Sequence, residues 1–138
     1  MLRKYAEDST HPARAQQAYL ILIAAAARRE TLRYGQLAEM MHFGVHDGVG
    51  RGSVLNKGLG CIIHWCSKNG LPRLTTLVVE KATGVPSGGI DPFVKPEDVP
   101  AMQEKVFDED WYSLLPPSVE ELAACRRELD EAENATVR

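Results

Sequence analysis

The feature that most constrains this chain is the order of segments across residues 34–89. Two stretches with helical apolar spacing flank a segment, 44–52, that contains four glycines and little hydrophobicity. Asn69-Gly70 and Pro72 then stop the second stretch, because glycine suits the left-handed residue after a helix and proline resists its resumption. A Thr-, Leu- and Val-rich run follows at 74–80, with the composition of a strand. Lys81-Ala82-Thr83-Gly84 turns the chain, and 85–90 is expected to return as a short strand. Pro86 places that return on an edge, since proline cannot donate to a ladder.

The spacing predicts a short extended link at 31–34, a helix at 36–42 with Leu37, Met40 and Met41 inward, and a helix at 53–67 capped by Ser53. Leu55, Leu59, Ile62, Ile63 and Cys66 form the buried face of the latter. Upstream, Ser9 or Thr10 caps a helix that begins near Pro12 and runs to Arg29. Its stripe is Ala15, Ala18, Tyr19, Leu22, Ile23 and Ala26, and Arg28 and Arg29 lie in its last turn, where cations suit the helix dipole. Beyond Asp91-Pro92, prolines at 96, 100, 116 and 117 punctuate an acidic region with helices at 100–107 and 119–133. The expected fold class is mainly α with a small β-hairpin (α+β), a winged helix-turn-helix core with an acidic C-terminal helical extension. The division is a basic domain at 1–95 and an extension at 96–138, packed on it or holding a partner.

A chain of 138 residues suits one modest core, and its 44% hydrophobic and 25% charged shares are those of an ordinary globular protein. The longest apolar run, 18–27, is too short to cross a bilayer, so no membrane is expected. The first residues lack the apolar stretch of a secretory signal. Three cysteines without a CxxC pair fit a reduced, cytoplasmic setting. The net charge of −3 divides unevenly. Residues 1–95 hold 12 Lys/Arg against 7 Asp/Glu, while residues 96–138 hold 4 against 12. A basic body approaches phosphate; an acidic tail repels it or competes for the same surface. Both blocks can equally be solvated faces.

Tyr34-Gly35-Gln36-Leu37-Ala38, Lys57-Gly58-Leu59-Gly60, Asn69-Gly70-Leu71-Pro72, Val78-Val79 and Gly84…Gly88-Gly89 occur in an informative order. In this order residues 34–89, roughly 40% of the chain, resemble the C-terminal DNA-binding half of the alkylguanine-DNA alkyltransferases and the alkyltransferase-like proteins. The resemblance implies a winged helix that holds DNA. It departs from the family where the reaction occurs. The family's Pro-Cys-His-Arg acceptor motif precedes the Val-Val strand, and here that stretch is Leu71-Pro72-Arg73-Leu74-Thr75-Thr76-Leu77. Alkyl transfer needs an activated thiolate, which this stretch does not supply. Lys57 aligns with the arginine that family members insert into the base stack, and a lysine lacks the planar guanidinium.

Read without the resemblance, Gly48-Val49-Gly50-Arg51-Gly52-Ser53 sets flexible backbone and a cation before a helix, which suits an anion, although glycine-driven turn geometry explains it as well. It is not a P-loop, because Gly-Lys-Ser/Thr is missing. On a DNA-binding reading Tyr34, Arg51, Ser53, Asn56 and Lys57 face groove or backbone, and Arg73 and Lys81 reach flanking phosphates near the wing. His42, His46, Asp47, His64 and Cys66 lack the tight paired spacing of a zinc site, and no cofactor is called for. Cys61 and Cys66 read as buried thiols, and no catalytic triad stands out. Trp111 and Tyr112 are either a staple docking the acidic segment or an anchor for a partner. The expected function is non-enzymatic DNA binding of winged-helix, alkyltransferase-like type, with altered DNA as a candidate target; the alternative is a regulator or inhibitor of mobile-element type that binds protein through its acidic segment.

Overall fold

A computed structural model describes residues 2–5, 11–43, 53–86 and 94–137 of the chain. Its order is α1 (His11–Ala27), β1 (Leu32–Arg33), α2 (Tyr34–Met40), α3 (Val54–Lys68), β2 (Val78–Val79), α4 (Val99–Asp108) and α5 (Val119–Val137). Short 3-10 turns at Leu74–Leu77, Pro96–Asp98 and Trp111–Ser113 join these elements. The described chain is thus mainly helical with a very small sheet, an α+β arrangement.

Helix α1 is the centre of the molecule. Its alanines favour the helix intrinsically, and its buried stripe contains all six expected residues, Ala15, Ala18, Tyr19, Leu22, Ile23 and Ala26. The small residues let α3 approach closely. A Cβ built on Gly58 would stand 3.3 Å from Ala15 N and 3.6 Å from His11 O. Helix α5 packs on both α1 and α3. The acidic segment therefore enters the core: Val106, Trp111, Leu122 and Cys125 join the same apolar cluster as Tyr19, Leu59 and Trp65. Trp111 donates from Nε1 to Val106 O at 2.8 Å and meets Tyr19 edge-on with centroids 6.3 Å apart. Gln16 also donates to Pro117 O, tying the two ends of the sequence together.

Several expectations are corrected. The small sheet is not a hairpin: Leu32 and Arg33 pair in parallel with Val78 and Val79. Strand pairing between such distant segments follows tertiary packing, which no local pattern encodes. Of the strand expected at 74–80, only Val78–Val79 is extended. Thr76 closes a 3-10 turn instead, donating from both its N–H and its hydroxyl to Arg73 O. That turn brings Leu74 and Leu77 to one side at its three-residue period, and both are fully buried. The chain then turns with Gly84 N–H donating to Glu80 O and Glu80 N–H to Val85 O. Most of the expected return strand lies outside the described residues.

Helix boundaries shift by a turn or less. Helix α1 ends at Ala27, so Arg28 and Arg29 form the closing turn rather than the last helical one. Arg29 takes a left-handed conformation, φ 56°, and Glu30 N–H returns to Ala25 O. The same closure ends α2 at His42, φ 61°, and α3 at Gly70, φ 66°. Only the last has the glycine that relieves the crowded Cβ. Met40 and Ile63 are not core residues, whereas Trp65 is, because α5 covers its side of α3; Cys61 is buried as expected.

Candidate nucleic-acid interface

Helix α3 opens as expected, with Ser53 Oγ accepting from Asn56 N–H at 3.2 Å. Tyr34, the first residue of α2, reaches across to this cap. Its hydroxyl donates to Asn56 Oδ1 at 2.5 Å and lies 3.4 Å from Ser53 Oγ. A donor from Ser53 to Tyr34 closes a ring of three hydrogen bonds, each group giving one hydrogen and taking one. Burial raises the Tyr34 hydroxyl above its ordinary value, and the Ser53 contact opposes that shift. The phenol thus stays protonated near neutrality and acts as a hydrogen-bonding group.

Lys57 follows one residue later on α3, exposed, and among the described residues it has no ion-pair partner. The parallel register brings a further cation to this side. Arg33 pairs with Val79, so the chain leaves β2 beside the start of α2 and carries exposed Lys81 with it. Arg33 is also exposed, donating its backbone N–H to Gln36 Oε1 at the start of α2. Sequence reasoning passed over it, although a basic residue directly before Tyr34-Gly35 was the available signal. Arg73 lies elsewhere. It follows the far end of α3, which at 15 residues is roughly 22 Å long, and it stands half-buried close to Cys66. Arg51, with His46, Asp47 and the rest of the glycine segment, lies outside the described residues.

The far half of α3 is occupied. Glu128 of α5 takes His64 Nε2 at 2.6 Å and Lys68 Nζ at 2.9 Å, and Glu121 accepts from Trp65 Nε1 at 3.4 Å. Hydrogen bonds from Lys68 and then His64 hold the Glu128 carboxyl below its ordinary value. On the first half of the helix Leu55, Gly58 and Leu59 are buried in the core, and Ser53, Asn56 and Lys57 stand on the side that is at least partly exposed.

Arg14 supports this end of the molecule from behind. It is 3% exposed, and its Nη1 donates to Met41 O at 2.6 Å and to Gln17 Oε1 at 2.7 Å. Its guanidinium also lies 4.1 Å from the Phe43 ring centroid. The buried cation closes the C-terminus of α2, where carbonyls lack helical partners.

The chemistry available is binding chemistry. All three cysteines are free and buried, and burial pushes the Cys61 and Cys66 thiols up to about 11. Among the described residues no three His, Cys, Asp or Glu side chains gather as a metal would require, and no helix is long and apolar enough to cross a membrane. A cleft of about 300 Å³ lined by Arg3, Lys4, Tyr5 and Gln16, and one of about 510 Å³ lined by Pro72, Lys105 and Asp108, both lie away from Tyr34 and Lys57. Compared with known proteins, the chain matches no family model, no curated protein and no solved structure.

Proposed function

We propose that this protein is a non-enzymatic DNA-binding protein that presents the first half of α3 to duplex DNA, in the manner of the alkyltransferase-like proteins that residues 34–89 resemble. One observation carries the proposal: the Tyr34–Ser53–Asn56 ring fixes the start of α3 while Lys57 beside it stays exposed. Side chains locked before a ligand arrives lose little freedom on binding. Lys57, Lys81 and Arg33 supply charge for phosphates, and Ser53 and Asn56 supply short polar groups at a helix start. Alkyl acceptance is not part of the proposal, because the three thiols are buried.

A labelled duplex titrated at several salt concentrations tests it. Binding should weaken steeply with salt, and Lys57→Ala should reduce the slope of log K against log salt by about 1. Absence of binding at low salt would falsify the proposal.

A second reading, a regulator or inhibitor of mobile-element type, is favoured by a separate observation. Tyr112 and Leu115, between α4 and α5, are 65% and 90% exposed, with exposed Asp110 nearby. It predicts a protein complex that Tyr112→Ser with Leu115→Ser abolishes and that salt-dependent DNA affinity does not accompany.

A further inference from the structure

An open groove of about 510 Å³ runs between the end of α3 and the end of α4. One wall is the turn that closes α3, Gly70, Leu71 and Pro72; the other is Lys105, Asp108 and Glu109. Both walls are fixed before any ligand arrives. Leu71 N–H donates to Cys66 O, and Gln103 Nε2 of α4 donates to Thr76 O at 2.8 Å, tying α4 to the turn that follows Arg73. Both walls are also C-terminal ends of helices, where the dipole is negative and a cation is favoured.

The corner beside the groove already holds one guanidinium. Arg29 Nη2 meets Glu104 at 2.8 Å, Nη1 meets Asp108 Oδ1 at 3.1 Å, and the group stands 5.3 Å from the Phe107 ring centroid. Asp108 thus serves Arg29 with one oxygen while it also lines the groove. Glu109 differs. It is half-buried, its Oε2 accepts the neighbouring Asp110 N–H, and it has no cation partner among the described residues. Lys105 lies four residues earlier, yet the backbone leaves the helix at Glu109, φ −75° and ψ 137°, and the two form no ion pair. Arg73, after Pro72, is half-buried and already engaged. Outside the described residues the sequence holds Glu7, Asp8, Asp47 and Asp91 against Arg51 and Arg138, which is no surplus of cations.

We infer that this groove is a docking site for an arginine side chain presented by a protein partner. The guanidinium pairs with Glu109 and with Asp108 Oδ2, and its stem lies on Leu71 and Pro72. Arginine suits two neighbouring carboxylates better than lysine, because its planar fork offers donors in two directions. The partner also brings an apolar residue. Tyr112 and Leu115 are 65% and 90% exposed, and Tyr112 follows Glu109 by three residues, a span of at most about 11 Å of chain. The inference rests on the protein-binding reading above for this apolar half of the contact, and it names the charged group that the partner presents. It owes nothing to the DNA-binding reading, since the groove lies away from Tyr34 and Lys57.

The test titrates N-acetylarginine amide into the isotope-labelled full chain near neutral pH and follows backbone amides by NMR, with N-acetylglutamine amide as the uncharged control. Saturable shifts should appear in the millimolar range at Gly70, Leu71, Asp108 and Glu109, weaken with added salt, and be missing with the control. Glu109→Gln should weaken binding about fivefold, the upper worth of one exposed ion pair. Lys105→Gln removes the groove's own cation and should tighten binding about twofold, an effect in the opposite sense that loss of fold would not produce. In a second arm, random peptides displayed on phage are selected on the full chain. Those retained should carry arginine beside an apolar residue and lose binding to Glu109→Gln and to Tyr112→Ser with Leu115→Ser. No saturable shift at the groove, or equal binding by Glu109→Gln, refutes the site; if the retained peptides still depend on Tyr112 and Leu115, the protein-binding reading stands without it. Arginine peptides that ignore Tyr112 and Leu115 support the groove and refute that reading. A selection that retains no peptide refutes both.

Discussion

Gly58 and Gly60 occupy the same helix two residues apart, and replacing each by alanine should have opposite effects. Both lie inside α3, so alanine removes backbone freedom from the unfolded chain and adds about 1 kcal/mol of helix preference at either position. Space decides the rest. At Gly60 the nearest atom to a new Cβ is Arg126 Nη1 at 3.9 Å, an ordinary contact with a movable side chain. At Gly58 it is backbone, Ala15 N at 3.3 Å and Ala15 Cα at 3.4 Å, and α1 is fixed by α3, α4 and α5 together. Relieving that contact means shifting a central helix by a few tenths of an ångström, and overpacking of this kind costs ~1–3 kcal/mol. Gly60→Ala should therefore stabilise by about 1 kcal/mol, while Gly58→Ala is neutral to destabilising by about 2 kcal/mol. Urea unfolding resolves the difference if the slope m stays constant between variants. In thermal melts it is a separation of roughly 3–4 °C per kcal/mol for a chain of this length. Equal stabilisation at both positions would refute the close approach of α1 and α3.

Other perturbations test separate parts of the structure. Arg14→Met keeps the apolar stem but strands Met41 O, and should cost about 2–3 kcal/mol in urea unfolding; a loss below 0.5 kcal/mol would show that the buried cation does not hold α2. Trp111→Ala empties the contact between the acidic segment and Tyr19, at a cost of about 3–5 kcal/mol. Because Glu128 is held below its ordinary 4.5, its contribution is present above that value and is lost as pH falls through the lowered one. Glu128→Gln should thus lose less stability than the unsubstituted protein when both are compared at pH 6 and pH 3. Thiol reagents at pH 8 should modify none of the three cysteines rapidly in the folded protein and all three in denaturant; one fast native thiol would contradict their burial.

The helices were legible because each carries its own period and its own stops. Tyr19, Leu22 and Ile23 of α1, the Ser53 cap and the Gly70 closure all follow from neighbours within a turn or two. What stayed hidden depends on partners far along the chain. The parallel pairing of Leu32 with Val78, the burial of Trp65, and the occupation of His64 by Glu128 all require α5 or β2 to be in place. Thr76 illustrates a local competition that composition misses, since its hydroxyl draws a strand-like run into a 3-10 turn. At the candidate interface the residue types Tyr34, Ser53, Asn56 and Lys57 were readable, but their hydrogen-bonded ring was not. Arg73 separates from them because α3 is long.

The packing of α5 on α1 also bears on when the core of this protein can close. During synthesis α1 precedes one of the surfaces that cover it, on residues 119–137, by about a hundred residues. At 5–20 residues per second that is an interval of roughly 5–20 s. Throughout it the apolar stripe of α1 has α3, the Leu74–Leu77 turn and, late in the interval, α4 for shelter, but not α5. The nascent chain is therefore a client for chaperones that hold short apolar helices, and ribosomes stalled before Leu122 should carry such chaperones while finished chains do not.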